Sequence, residues 1–185
     1  MPSLFNRIDQ TMKMRMEEVG LASFVLEAPA SKVLRSDGRV LSAVYRSRNG
    51  GPGVRIKGIY DTVLALEDGG FALVDLKTTA SSPKLIYTYY KQLHAYAFAL
   101  EQAETPEQVV APIKRLGLIA FEPLRFTSRE DGSAALVGKN TWLEVPRDDQ
   151  PFFAFLDSVV ELLAADEPPP SGRFCQLCQY LERMQ

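Results

Sequence analysis

Cysteine and histidine are scarce in this chain of 185 residues, which holds two of the first and one of the second. Cys175 and Cys178 form a single C-x-x-C pair, half of what a four-thiolate zinc site or an iron–sulfur cluster takes. Neither is therefore expected within one chain. A metal bridging two chains, a redox pair or two inert thiols remain, and inert thiols are the expectation. His94 has no second histidine to share a metal with, so a hydrogen-bonded or exposed structural histidine is expected there. No apolar run reaches membrane-spanning length. Met1-Pro2-Ser3 lacks the charged and apolar regions of a signal peptide, and a cytoplasmic location with no membrane partner is expected. A strong basic excess is also missing. Lys and Arg number 21 against 23 Asp and Glu, a net charge of -2, which argues against a generic binder of polyanions. Repeats and low-complexity tracts are absent, and Pro168-Pro169-Pro170 is the one obvious linker. With 46% hydrophobic and 24% charged residues, the remainder has the composition of one globular domain.

What is present concentrates between Val54 and Lys77. Val54 to Leu66 and Phe71 to Leu76 read as strands, joined by the turn Glu67-Asp68-Gly69-Gly70. Side chains alternate along a strand, so Asp75 and Lys77 share a face. Folding back at Gly69 brings Asp61 within a residue or so of the position opposite Lys77. Two carboxylates and an ammonium would then converge, the minimum that holds a hard divalent cation beside a reacting phosphate. Magnesium takes oxygen ligands and needs only one or two carboxylates. It acidifies a bound water and offsets charge on phosphoryl oxygens, and a nearby lysine stabilises the transition state. The backbone carbonyl of Leu76 is a further candidate ligand. D-x-K alone is common, and a solvated surface ion pair is the bland alternative. Against that alternative, Asp75 and Lys77 end a strongly apolar strand, and Gly58-x-x-Asp61 precedes them.

On the following helix, Lys84 to Gln102, apolar residues recur at Leu85, Tyr89, Leu93, Tyr96, Ala97 and Leu100. Gln92 and Tyr96 are four apart and share a face. Gly58-x-x-Asp61, Asp75-x-Lys77-Thr78 and Gln92-x-x-x-Tyr96, in that order, resemble the PD-(D/E)XK nuclease superfamily, and within it the RecB-like and CRISPR-associated exonuclease branch. The resemblance covers Val54 to Leu100, with the rest following by element order. It implies that Asp61 and Asp75 hold Mg2+ or Mn2+, that Lys77 is the catalytic lysine, and that Gln92 and Tyr96 flank the site and contact nucleic acid or the metal shell. Some members of the branch bind an iron–sulfur cluster with cysteines near the C-terminus, where this chain has only two. The family also carries an acidic group or a histidine on an N-terminal helix. Here that helix is Leu4 to Val19, with Ser3 as N-cap and Gly20 as its stop. It offers Asp9, Glu17 and Glu18, of which Glu17 is the nominal choice, and no histidine.

Residues 1–60 carry ten Lys and Arg against five Asp and Glu, whereas 121–185 carry six against eleven. The basic excess includes Arg46, Arg48, Arg55 and Lys57 around Asn49-Gly50-Gly51-Pro52-Gly53, a loop suited to phosphate contact or simply to solvent. Tyr87, Tyr89 and Tyr90 could stack on unpaired bases or belong to the core. Val25 to Val44 mixes strand-like stretches with turn residues such as Asp37-Gly38. Arg115 to Phe121 and Thr141 to Val145 read as strands, and Asp148-Asp149-Gln150-Pro151 opens a helix over Phe152 to Ala165. The expected fold is α/β, a restriction-endonuclease-like mixed β-sheet flanked by α-helices. Residues 1–167 would form the nuclease-like domain, and 168–185 the proline-rich linker and tail, packing back through Phe174, Leu177, Tyr180 and Leu181. The expected activity is metal-dependent hydrolysis of DNA, single- or double-stranded, as exonuclease or endonuclease. A nucleic-acid-binding or scaffold module without turnover is the alternative on the same fold. An interaction subunit of a larger phage or mobile-element complex, with the C-terminal tail as its docking piece, is another, and the partners open to the chain include a protein or a homo-oligomer.

Overall fold

The computed structural model describes residues 2–184, with the side chains of residues 2–5 and 182 left aside. Helix α1 (Pro2–Val19) runs into the short α2 (Leu21–Phe24), and then come strands β1 (Ser31–Leu41), β2 (Lys57–Leu66) and β3 (Phe71–Thr78). Helix α3 (Lys84–Glu101) crosses to β4 (Ile113–Ser128), which turns into β5 (Ala134–Val145). Helices α4 (Asp149–Ala164) and α5 (Gln176–Arg183) close the chain. The five strands form one sheet in sequence order. All neighbours are antiparallel except β3 and β4, the pair that α3 connects. A parallel pair needs such a crossover, because a tight turn can only reverse direction. The expected mixed sheet flanked by helices is what the chain forms.

Each face of the sheet has its own core. Val63, Leu73, Leu116 and Leu118 point to one side, where Leu93, Ala97 and Leu100 of α3 cover them. Leu64, Ala72, Val74, Leu76, Ile119 and Trp142 point to the other, under Met16, Leu21 and Val25 from the N-terminal helices. Burial on both faces explains why β3 reads as the near-continuous apolar run Phe71-Ala72-Leu73-Val74. A charged pair placed on such a strand must therefore be held by specific partners.

Several boundaries differ from the sequence expectation. Helix α1 begins at Pro2, so Ser3 lies inside its first turn, while Gly20 does stop it with φ of 74°. Asp37-Gly38 is no turn but the middle of β1, where Asp37 takes φ of 52°. Helix α4 starts as its sequence indicates, with the Asp148 side chain accepting from Gln150 N–H at 3.2 Å. His94 is a buried clamp between helices. Its Nε2 accepts from Asp148 N–H at 3.1 Å, which leaves Nδ1 to donate to the Tyr90 carbonyl at 2.8 Å. Cys175 and Cys178 are bonded to each other, where free thiols were expected. The tail does not pack back, since Phe174, Leu177, Tyr180 and Leu181 are 85%, 66%, 58% and 52% exposed.

Candidate metal centre

The hairpin sets the geometry. Strands β2 and β3 pair from Ala65–Phe71 to Thr62–Val74, around a loop closed by Leu66 N–H on the Gly70 carbonyl. One step beyond the last pair, Asp61 faces Asp75. It falls two residues short of the place opposite Lys77, because the turn chemistry alone does not fix register to the residue. Past Thr62 the strands stop exchanging backbone bonds. Leu76 N–H instead donates to Asp61 Oδ2 at 2.9 Å, and the Leu76 carbonyl leaves the strand on that same edge.

Asp75 is only 4% exposed. Gln92 Nε2 reaches across from α3 and donates to its Oδ1 at 3.1 Å. Its Oδ2 is buried in close contact with the Lys77 ammonium, 2.5 Å from Nζ. Burial pushes the Asp75 carboxyl up to about 6, the Asp61 charge adds to this, and Lys77 only partly offsets it. Burial works against the Lys77 charge as well, but Asp75 and then Asp61 outweigh it and raise its pKa. The Lys77 ammonium also sits 4.6 Å from the centre of the Tyr89 ring, a cation–π contact that fixes its direction.

Tyr96 explains the glycine of Gly58-x-x-Asp61. A Cβ on Gly58 would lie 2.4 Å from Tyr96 Cε1, so the ring needs bare backbone beneath it. Burial, then the charges of Asp75 and Asp61, raise the Tyr96 phenol and keep it protonated. Asp61, Asp75, Lys77, Leu76, Gln92 and Tyr96 are thus brought together.

The N-terminal helix contributes something else. Ser36–Thr62 and Gly38–Tyr60 are paired, so Asp37 on β1 falls opposite Asp61. Three carboxylates, Asp37, Asp61 and Asp75, cross the sheet in one row. Lys13 of α1 inserts its ammonium beside two of them, 2.5 Å from Asp37 Oδ1 and 3.3 Å from Asp61 Oδ1. It also lies 2.8 Å from Asp9 Oδ2 on its own helix. Burial opposes the Lys13 charge, but Asp37 and Asp9, followed by Asp61, raise its pKa strongly. Burial likewise raises the Asp9 carboxyl, ahead of the opposing pull of Lys13. Glu17 is not in this cluster; its Oε1 accepts from the Ser36 hydroxyl at 2.9 Å. Lys13 and Asp37 were missed in the sequence for identifiable reasons. Asp9, Lys13 and Glu17 are spaced four apart and look like ordinary surface ion pairs along a helix. Asp37-Gly38 has the composition of a turn.

The donor set suits a hard divalent cation. It consists of carboxylate oxygens, those of Asp61 and of the buried Asp75 facing it. Asp9, Asp37 and Asp61 offer oxygens within 4.8 Å of one another. The basic loop lies elsewhere. Arg46 and Arg48 edge a pocket of about 900 Å³ between the loop, α3 and α4, which none of Asp61, Asp75 and Lys77 lines. Arg55 pairs with Glu104. Among the described residues, no helix is long and apolar enough to cross a membrane.

No curated protein matches the chain. The crystal structure of SSO0001 is similar to it, with a TM-score of 0.51 and 18% identity over 97% of this chain and 67% of that one. At that identity the likeness is one of fold. The model of the PD-(D/E)XK nuclease superfamily, whose members are generally metal-using nucleases, matches residues 4–183. With Asp61, Asp75 and Lys77 meeting at the open end of a hairpin in a mixed sheet, this chain belongs to the PD-(D/E)XK nuclease superfamily.

Proposed function

We propose that the protein is a divalent-metal-dependent deoxyribonuclease of the RecB-like branch, hydrolysing phosphodiester bonds at Asp61, Asp75 and Lys77. The observation that carries this reading is the convergence of the buried Asp75 carboxylate, Asp61 facing it across the hairpin and the Lys77 ammonium 2.5 Å from Asp75 Oδ2. Two facing carboxylates beside one ammonium leave an excess of negative charge that is costly where it is buried and that a divalent cation offsets. Asp61, Asp75 and the Leu76 carbonyl would hold Mg2+ or Mn2+, which supplies an acidified water and charge on the phosphate. Lys77, held between Asp75 and the Tyr89 ring, presents a positive charge where the phosphorane oxygens become most negative. Gln92 fixes the rotamer of Asp75 by holding Oδ1, which leaves Oδ2 directed into the site. Tyr96, a protonated phenol lying over Gly58, is placed to donate to a phosphate or base of the bound strand.

The test is cleavage of single- and double-stranded DNA with magnesium or manganese by the unaltered protein, Asp75→Ala and Lys77→Ala. Metal-dependent cleavage should fall by about 10²-fold or more in each variant, the scale of losing a charged group that acts in the transition state. Cleavage surviving both substitutions, or metal-independent binding with no cleavage by the unaltered protein, would overturn the reading.

A further inference from the structure

The proposed site accounts for Asp61, Asp75 and Lys77 but not for Lys13, whose side chain is 5% exposed and whose ammonium touches three carboxylates from three elements. Burying a lysine so completely is costly unless its charge is matched. Here it is matched more than once over. Asp9, Asp37, Asp61 and Asp75 carry four negative charges, and Lys13 and Lys77 carry two positive ones. Two negative charges remain, the complement of a single divalent ion. Lys13 also lies where another cation would otherwise fit, since the oxygens of Asp9, Asp37 and Asp61 are within 4.8 Å of one another.

We infer that Lys13 is a positioning residue, a built-in cation that fills the Asp9–Asp37–Asp61 cluster, holds Asp61 Oδ1 and restricts the site to one divalent ion on the Asp75 side. This inference rests on the proposed metal site but concerns a different part of it. Asp61 is the hinge between the two halves. Its Oδ1 faces Lys13 and its Oδ2 takes the Leu76 N–H, so its plane is set by α1 and β3 together. Tethering favours the ammonium over a second ion, because Lys13 is already held beside the carboxylates and needs no capture from solution. A second divalent ion would have to displace it from all three carboxylates at once.

Manganese titration of the full chain, followed by electron paramagnetic resonance, tests this directly. Bound manganese should rise about twofold in Lys13→Met, as the vacated carboxylates accept a second ion of the kind seen in two-metal sites. It should return to the starting value in Lys13→Met with Asp37→Asn. An unchanged count in Lys13→Met, or two ions already bound by the unaltered protein, would overturn the inference. A second measurement needs no variant and is immune to misfolding. In nitrogen-15 spectra of the lysine ammonium groups, the protected Lys13 signal should persist when magnesium is added; its loss on metal binding would equally overturn the inference. If the unaltered protein binds no manganese and Lys13→Met binds some, the role of Lys13 stands and the nuclease reading falls.

Discussion

Asp75 is where stability and site chemistry oppose each other most directly. Its carboxyl is raised to about 6 by burial, so above that pH the ionised form weighs against folding by on the order of 2–3 kcal/mol relative to an unfolded group near 3.8. Asp75→Asn keeps an acceptor for Gln92 and removes the charge. In metal-free buffer above pH 7, urea titration should therefore show the variant to be the more stable. That gain should fade as the pH falls through about 6 toward 3.8, because the native protein then takes up the proton that relieves it. Magnesium should reverse the order by stabilising only the unaltered protein, through binding to the native state. A pH-independent gain would show that burial of charge is not its source. His94 works with the opposite sign. Burial lowers its pKa below the usual 6.5, and its Nε2 must stay unprotonated to accept from Asp148 N–H. Its contribution is thus complete above about pH 6.5 and is lost as the pH falls from there through the lower native value. His94→Gln should cost about 1–2 kcal/mol at pH 8 and progressively less at pH 5, read from paired urea titrations.

At the scale of elements, the β2–β3 hairpin was legible because its two limbs are apolar and its turn residues are specific. Helix α3 was legible because Leu93, Ala97 and Leu100 repeat on one face. The nearness of Asp61, on β2, to Asp75 and Lys77, which share a face of β3, was legible from the hairpin and from strand alternation. What the sequence concealed depends on contacts between distant elements. Gly38 looks like a turn residue, yet it lies in β1 because the Tyr60 ring covers it; a Cβ there would be 2.1 Å from the Tyr60 hydroxyl. The distal halves of β4 and β5 were missed because they are held by backbone pairing with little burial, leaving Leu124 and Phe126 exposed. Asp37 and Lys13 became visible as partners only once β1 and α1 were brought beside β2. Gly117 belongs to the same class. A Cβ at that position would lie 1.9 Å from Trp142 Cη2, so the ring of the one tryptophan rests on bare β4 backbone. Gly117→Ala should force that ring out of its place between the sheet and the N-terminal helices and cost about 2–3 kcal/mol by overpacking. Tryptophan fluorescence reports both effects at once, as a lower urea midpoint and a shifted native emission maximum. Unchanged values of both would mean that the ring moves aside freely.

Across the whole molecule, the folding energy is gathered in two apolar layers either side of one sheet, and the segment after α4 shares in neither. Helix α5 carries a well-segregated apolar face, but Leu177, Tyr180 and Leu181 all present it outward, and Phe174 before it is exposed as well. Its own order is local. The Cys175 Sγ accepts from Cys178 N–H at 3.2 Å at the helix start, and the bond between the two sulfurs closes that first turn. An element that buries so little of its apolar surface adds little to global stability, because burial is the dominant favourable term. Deleting residues 168–185 should accordingly leave the unfolding free energy of the domain, read from urea titration, within about 0.5 kcal/mol of the full chain, the range typical of changes remote from the core. Cys175→Ser with Cys178→Ser should leave metal-dependent cleavage unchanged, since the groups proposed to act on DNA all lie between Gly58 and Tyr96. Both follow from the same separation of tail from sheet. A fall of several degrees in the melting temperature of the truncated chain, or loss of cleavage in the serine variant, would mean that the tail reaches the domain in solution and that its apolar face is turned inward.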